Sequence, residues 1–155
     1  MIIIDSREPR KIVELLERDG FNVKVKQLQY FDYVVGSYVN GKVFMIPIER
    51  KEIHDYIESI IDGRLNNQLF NMSKLADFSY LCVIGIVNEV LIERKIKRSA
   101  YIGSLISASL KRSPVGKRGQ IVTINLETDY DFILFLELLH KKIEKGDFER
   151  MLRPK

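Results

Sequence analysis

The chain has 155 residues, of which 25 are basic, 21 are acidic and 46% are hydrophobic, and its net charge is +4. This length predicts one globular domain whose core needs no disulfides, and a single cysteine excludes a disulfide scaffold. Cys82 lies in an apolar run and is interpreted as a buried thiol. The longest apolar run is far below the roughly 18 residues of a membrane span, so we expect a cytoplasmic protein without a membrane partner.

The predicted elements alternate between strands and helices. In chain order they are a strand at 2–4, a helix from Pro9 to Gly20, strands at 21–28, 33–39 and 42–48, helices at 53–61 and 65–75, a strand at 80–87, a helix at 99–110, a strand at 120–125 and a helix from Thr128. This order predicts an α/β fold with a central mixed β-sheet that contains an N-terminal hairpin and is flanked by helices. The hairpin is the best-defined part, because Asn40-Gly41 between two β-rich runs is the strongest short-range hairpin signal.

A two-residue turn fixes which side chains of the hairpin face each other. If Asn40-Gly41 is the turn, opposed residues have numbers that sum to 81, so Asp32 is predicted to lie opposite Glu49. Opposed Cβ atoms are about 4.5–5.5 Å apart, which lets two carboxylates share one hard cation. Strand alternation keeps Lys51 on the same face as Glu49. A bulge at Pro47, which lacks a backbone donor, would shift this pairing by one residue near the acids.

Two carboxylates and a lysine around one point suit metal-assisted hydrolysis of a phosphodiester. The cation neutralises charge that develops on the phosphate and lowers the pKa of a bound water, and the lysine can orient that water or contact the phosphate. Asp5 and Glu8, at the end of the first strand, are candidates for further acidic groups, and Arg7 for a phosphate contact. A second Glu-Arg-Lys, at residues 93–95, has no hairpin before it, so we interpret that copy as ordinary surface.

The segment Glu49-Arg50-Lys51-Glu52-Ile53-His54-Asp55 fits the pattern Glu-Arg-Lys-x-x-x-Asp, and Asp5-Ser6-Arg7-Glu8 lies upstream. With the segment at 59–65 and Gln68, it resembles the nuclease domain of the XPF family over almost the whole chain. The resemblance implies a restriction-endonuclease-like fold and a Mg²⁺- or Mn²⁺-dependent endonuclease that acts on flapped, forked or otherwise branched DNA in repair or recombination. It also implies a tandem helix-hairpin-helix region, which is not found here, so we expect a single XPF-type nuclease domain at 1–155.

The resemblance also implies roles for individual residues. Asp32 and Glu49 would be the metal ligands, with a backbone carbonyl near Arg50, and Lys51 would be the catalytic lysine. Supporting acidic and basic positions would be Asp5, Arg7, Glu8 and Asp55. By periodicity alone, however, Asp55 belongs to a solvated helix face. The family usually has Gly-Asp where this chain has Phe31-Asp32, a departure that retains the carboxylate but changes the residue at the bend.

Candidates for DNA contacts are basic or amide side chains. They are Arg64 and Gln68, four residues apart on a predicted helix, and a basic loop that contains Lys111, Arg112, Lys117 and Arg118. Because each neutralised phosphate releases counterions, we expect DNA binding by the isolated chain to be weak and strongly salt-dependent. An accessory DNA-binding or clamp protein is expected to take the place of the helix-hairpin-helix region in binding DNA.

The helix from Thr128 has almost no polar face, so one domain cannot easily bury all of it. We expect one stripe to pack on the sheet and the other to meet the helix around Ile102 and Ile106 of a second chain. The resemblance likewise implies dimerisation through the nuclease domain. The predicted assembly is therefore a homodimer through the helices around 99–110 and 128–145.

Three functions are compatible with the sequence. The leading one is an active endonuclease, with a cytoplasmic location that is nucleoid-associated if the chain is archaeal. The second is a catalytically weak or silent XPF-like subunit that acts as a dimerisation and DNA-binding partner, and it ranks lower because the acidic and lysine positions are present. The third is a resolvase or exonuclease on the same fold, since the hydrolytic chemistry is shared.

Overall fold

The computed structural model describes residues 1–110 and 119–148. Its strands form a mixed sheet in the order β2-β1-β3-β4-β5-β6. The strands are β1 (Ile2–Asp5), β2 (Val23–Lys26), β3 (Tyr33–Val39), β4 (Lys42–Glu52), β5 (Phe78–Ile84) and β6 (Gln120–Leu126). The helices are α1 (Arg10–Arg18), α2 (Ile53–Ile61), α3 (Arg64–Leu75), α4 (Val87–Arg94), α5 (Arg98–Leu110) and α6 (Asp129–Glu144). The predicted α/β class is therefore confirmed.

The chain divides into two compact units. The first contains Met1–Ile48 and Asp129–Lys155, and the second contains Glu49–Thr128. Strand β4 runs through the boundary between Ile48 and Glu49. Within the described ranges, no helix combines the length and the hydropathy that crossing a membrane requires.

The first unit is built around β1, whose four residues are all buried. β1 pairs with β2 in parallel and with β3 in antiparallel orientation. Helix α6 packs against β3, where the rings of Tyr33 and Phe132 meet edge to face with their centroids 4.9 Å apart. Helix α1 begins at Arg10, one residue later than predicted, and Pro9 is its N-cap residue. This core holds β1 and the start of β3 in fixed register.

The hairpin has the predicted turn and most of the predicted register. Asn40 and Gly41 both adopt positive φ, of 48° and 78°, as the turn that joins twisted strands tightly requires. Regular pairing runs from Val39–Lys42 to Tyr33–Ile48, so opposed numbers sum to 81 as predicted. Pro47 takes its regular place opposite Val34 and causes no bulge. β4 continues to Glu52, four residues beyond the strand predicted from the sequence.

In the second unit, helices surround the parallel pair β5 and β6. Tyr56 of α2 is fully buried, and its hydroxyl and that of Ser104 on α5 lie 2.7 Å apart in a hydrogen bond. Burial raises the pKa of Tyr56 to about 12, so the hydroxyl is neutral. Cys82 is buried in β5 as predicted, and burial also raises the pKa of its thiol.

One segment of the second unit differs from the prediction. The strand expected to run to Val87 ends at Ile84, because Gly85 has a φ of 137° that side-chain-bearing residues avoid. Helix α4 follows and was not predicted. It buries Val90 and Leu91 but leaves Ile92 79% exposed, so its apolar pattern is too short and too mixed to stand out from the sequence.

Candidate active site

Asp5 is a buried and hydrogen-bonded acidic residue of the first unit. It is 1% exposed, and each of its carboxylate oxygens accepts two hydrogen bonds. Arg7 donates to Oδ1 from its main-chain N–H and from Nε, both at 2.8 Å, and to Oδ2 from Nη2 at 2.9 Å. The fourth donor is the main-chain N–H of Leu28, 2.9 Å from Oδ2. Hydrogen bonds from the Arg7 side chain hold the pKa of Asp5 well below its usual range, so the carboxylate stays ionised.

This arrangement gives the segment Asp5-Ser6-Arg7-Glu8 a structural role. A carboxylate has about four acceptor sites, and Asp5 uses that many within its own unit. The N–H of Glu8 donates to the carbonyl of Asp5 at 3.0 Å and closes the turn. Arg7 also donates to the carbonyl of Leu28 at 3.2 Å. Asp5 and Arg7 therefore fix the chain that leads from β2 towards Asp32.

Asp32 occupies a bulge at the start of β3. Its N–H donates to the carbonyl of Ile48 at 3.0 Å, although Ile48 already pairs with Tyr33. Two consecutive residues thus meet one residue of β4, which is the arrangement of a β-bulge and re-aims the side chain. Phe31 precedes the bulge with a φ of 61°, a conformation that glycine adopts without strain.

The bulge marks the end of the regular hairpin register. Regular pairing ends at Tyr33 and Ile48, and the opposition of Asp32 and Glu49 stays a prediction. The irregularity that the sequence allowed at Pro47 lies instead at Asp32. At Phe31 the backbone adopts positive φ despite the side chain. Neither feature follows from turn chemistry, which specifies only the other end of the hairpin.

In the second unit, the side chains at the end of β4 alternate between the two faces of the strand. Arg50 donates from Nη2 to Oε1 of Glu52 at 2.6 Å, which places these two residues on one face. Strand alternation places Glu49 and Lys51 on the other face, as the sequence predicted. The Arg50 side chain is only 9% exposed and packs within the protein.

Lys51 is held by a residue of α3. Its Nζ donates to Oε1 of Gln68 at 3.0 Å. Asp62 and Arg64, at the turn between α2 and α3, bind each other through Arg64 Nε at 2.6 Å and the Arg64 N–H at 3.0 Å. These hydrogen bonds, and to a smaller extent the charge of Lys51, lower the pKa of Asp62. The sequence singled out Gln68 for DNA binding and missed its contact with Lys51, which no local pattern reveals.

The remaining predicted positions are exposed or undescribed. Asp55 is exposed on α2, in agreement with its periodicity. The second Glu-Arg-Lys lies at the end of α4, where Arg94 forms an ion pair with Glu58 and Glu93 lies 3.5 Å from His54. Its surface position is confirmed. The basic-loop residues predicted to contact DNA lie outside the described residues. These are Lys111, Arg112, Lys117 and Arg118.

The described residues are compatible only with a metal site that has few protein ligands. Among residues 1–110 and 119–148, no three His, Cys, Asp or Glu side chains form a group that could hold a metal. Mg²⁺ is usually bound by one or two carboxylates together with water and substrate phosphate, so a third protein ligand is not required. The carboxylates of Asp32 and Glu49 are hard oxygen donors of the type that Mg²⁺ and Mn²⁺ prefer.

A mixed α/β sheet with acidic residues and a lysine at strand ends is typical of restriction-endonuclease-like nuclease domains. The ERCC4 domain model matches residues 4–135, and the chain belongs to this family. The predicted XPF-family nuclease domain is thereby confirmed.

Similar proteins include two named endonucleases and one solved structure. The chain is 35% identical over 112 residues to the 3'-flap repair endonuclease Xpf of Saccharolobus solfataricus, covering 70% of this chain and 44% of that protein. It is 34% identical over 99 residues to a probable crossover junction endonuclease mus81 of Dictyostelium discoideum, covering 57% and 11%. XPF from Aeropyrum pernix in complex with DNA superposes with a TM-score of 0.67 at 25% identity, covering 90% of this chain and 62% of that chain. The chain thus spans less than half the length of these curated relatives.

Proposed function

We propose that the chain is the nuclease unit of a structure-selective DNA endonuclease that hydrolyses phosphodiester bonds in flapped, forked or otherwise branched DNA during repair or recombination. The main support is the ERCC4 match, which spans residues 4–135 and so includes Asp32, Glu49 and Lys51. Two similar proteins carry names that specify a flap endonuclease and a junction endonuclease.

The proposed cofactor is Mg²⁺ or Mn²⁺, held by the carboxylates of Asp32 and Glu49 and by a backbone carbonyl near Arg50. When bound, such a cation neutralises charge on the phosphate and lowers the pKa of a bound water. The hydrogen bonds of Asp32 to β1 and β4 support this proposal, because they fix the backbone from which its carboxylate projects.

The other residues act through position and charge. The ammonium of Lys51 donates hydrogen bonds to a phosphate oxygen or to the attacking water, where a fixed positive charge favours the transition state. Asp5, Arg7 and Glu8 hold the segment before Asp32 in place. Asp55 is an exposed acidic group beside the site residues in sequence, and its role is only that of a supporting position.

DNA contacts are proposed at Arg64 and in the basic loop at 111–118. The Nε of Arg64 is bound to Asp62, and no hydrogen bond from its two Nη groups is found within the described residues. Those groups therefore suit a phosphate, which guanidinium binds through paired N–H donors. Contacts of this kind make binding salt-dependent and insensitive to sequence. An accessory DNA-binding or clamp protein would add affinity.

We further propose that the active assembly is a homodimer. On α6 the exposed apolar residues Tyr130, Leu134 and Leu138 are spaced four apart, and on α5 the same holds for Ile102, Ile106 and Leu110. Such stripes cover one side of a helix and favour burial against another surface. The alternative, a catalytically silent subunit with the same dimer, is disfavoured because Lys51 is held in a defined orientation.

A cleavage assay with the 155-residue chain tests the proposed reaction. The purified protein should cut a labelled 3'-flap duplex in Mg²⁺, and Glu49→Gln or Lys51→Ala should each reduce the rate by about 10²–10³-fold. The second Glu-Arg-Lys offers matched controls, since Glu93→Gln and Lys95→Ala make the same changes at a surface copy. Absence of cleavage by the wild type, or equal rates for all four variants, would refute the proposal.

A further inference from the structure

Lys51 and Gln68 are joined by a hydrogen bond within the second unit. The Lys51 ammonium donates from Nζ to Oε1 of Gln68 at 3.0 Å, across 17 positions of sequence. An ammonium carries donors only, so the carbonyl end of the Gln68 amide is the end that faces it. No hydrogen bond from Nε2 of Gln68 is found within the described residues. The contact thus defines the orientation of the amide.

Gln68 stands on a helix that the core holds in place. Its neighbours on α3, Leu65, Leu69 and Met72, are buried. Gln68 itself is half-buried, so its backbone cannot shift without disturbing those packed side chains. Lysine, in contrast, has a flexible four-carbon stem and a compact charge. A fixed acceptor on α3 therefore restricts where the Lys51 ammonium lies.

The carboxylate of Asp62 is one charged group near the Lys51 ammonium. Asp62 is close enough for the charge of Lys51 to contribute to its lowered pKa, after the larger effect of Arg64. Both oxygens of Asp62 accept hydrogen bonds from Arg64, at 3.0 and 2.6 Å. Gln68, unlike Asp62, offers the Lys51 ammonium the oxygen of a neutral amide. A neutral amide oxygen accepts a hydrogen bond from an ammonium without neutralising its charge.

We infer that Gln68 is a positioning residue, which holds the Lys51 ammonium in the orientation used in the hydrolysis proposed above. The carbonyl oxygen of Gln68 acts on Lys51 and makes no contact with the reacting atoms. Gln68 is therefore distinct from a DNA contact, the role that its place on a helix surface first indicated. Its removal lowers turnover through Lys51 and leaves the affinity for DNA largely intact.

A spectroscopic measurement tests the contact without relying on cleavage. The side-chain nitrogen signal of Lys51, recorded by NMR on ¹⁵N-lysine-labelled protein, is assigned by its loss in Lys51→Arg. Gln68→Met keeps the side-chain length and removes the acceptor, so this signal should shift. Asn71→Ala removes an exposed amide from the same helix and should leave it unchanged. A Lys51 signal that does not move in Gln68→Met overturns the inference.

Kinetics then test the consequence, with the labelled 3'-flap duplex as substrate. Gln68→Met should lower kcat by about 10–100-fold, as is typical for residues that orient a primary group, and should change KM little. In a Lys51→Ala background it should cause no further loss, because its effect passes through Lys51. A rise in KM with unchanged kcat, or an additive loss in that background, would show a DNA contact instead. If the wild type does not cleave, the nuclease proposal fails, while the NMR result still decides whether Gln68 orients Lys51.

Discussion

The main-chain N–H of Asp5 donates to the carbonyl oxygen of Asp32 at 2.8 Å. The hydrogen bond joins the last residue of β1 to the bulge at the start of β3, so it places the backbone of one acidic residue directly beside that of another. The Asp5 carboxylate meanwhile binds Arg7 and the N–H of Leu28. Asp5 thus fixes both the backbone of Asp32 and the loop that leads to it.

We predict that Asp5→Asn destabilises the protein at neutral pH. Asparagine has one acceptor oxygen and turns an NH₂ group towards donors, so hydrogen bonds with Arg7 or Leu28 are lost. The ordinary aspartate pKa is about 3.9, and in the folded state the Asp5 pKa is lower. The contribution of Asp5 is therefore complete above pH about 4 and is lost as pH falls through the folded pKa.

Urea unfolding between pH 3 and 8 measures this effect. The variant should differ most from the wild type at neutral pH, and the difference should begin to shrink below pH about 4. Asp77→Asn, at an exposed position, is the matched control and should unfold like the wild type at every pH. A variant with Asp5→Asn that is as stable as the wild type at pH 7 would show that the hydrogen bonds of the carboxylate contribute nothing.

Phe31 provides a test of the bend before Asp32. Because its φ is 61°, we predict that Phe31→Gly is more stable than Phe31→Ala by about 1 kcal/mol, since a Cβ is disfavoured in this conformation. Both variants lose the phenyl ring, so their difference isolates the backbone. At Phe44, within the regular part of β4, the same pair should have the opposite order, because glycine weakens a strand. Chemical denaturation measures the free energy of unfolding of both pairs of variants. Equal stability of Phe31→Gly and Phe31→Ala would show that the backbone at position 31 is not strained.

The carboxyl group of Glu137 lies near that of Asp19 in the first unit, and Oε1 of Glu137 is buried. Burial and then the proximity of Asp19 raise the pKa of Glu137, against the weaker opposing charges of Lys141 and Arg18. Protonated Glu137 therefore stabilises the fold fully below its ordinary pKa of about 4.3, and this contribution is lost as pH rises through the folded pKa. We predict that Glu137→Gln, which always carries donors, is more stable than the wild type at pH 8.

Thermal unfolding at pH 4 and pH 8 measures that difference. The gain from Glu137→Gln should be large at pH 8 and small at pH 4, where the wild type is itself protonated. Glu144→Gln changes an exposed carboxyl group on the same helix and should give no comparable gain at pH 8. A variant that is less stable than the wild type at pH 8 would show that the Glu137 carboxylate is preferred there.

The two faces of α6 predict the oligomeric state. Leu134 and Leu138 are 52% and 47% exposed, so the double change Leu134→Asp and Leu138→Asp should leave the domain folded but convert a dimer to a monomer. Leu136 is fully buried, and Leu136→Ala should instead cost about 2–5 kcal/mol of unfolding free energy. Ile92→Asp, at an exposed site outside the predicted interface, is the control and should remain dimeric.

Sedimentation velocity combined with circular dichroism separates these outcomes. The wild type should sediment as a dimer at micromolar concentration, and the double variant as a folded monomer. A wild type that is monomeric at that concentration while unfolding cooperatively would refute the dimer. Loss of folding in the double variant would show that Leu134 and Leu138 contribute to the core, since solvent-facing positions tolerate charge.

The sequence by itself determined the hairpin and its register, and much of the element order. Asn40 and Gly41 accept the positive φ values that a tight turn needs, and strand alternation then places Glu49 and Lys51 on one face. These are properties of neighbouring residues, which local sequence encodes. The same holds for the solvated position of Asp55, which follows from helical periodicity.

Only the tertiary structure decided the bulge at Asp32, the anchoring of Asp5 by Leu28 and the contact between Lys51 and Gln68. In each case the partner lies far along the chain: Leu28 is 23 residues from Asp5, and Gln68 is 17 residues from Lys51. Which donor meets which acceptor at that separation depends on how strands and helices pack, and not on the spacing of residue types. The sequence therefore named most of the chemical groups, and packing determined which of them act on one another.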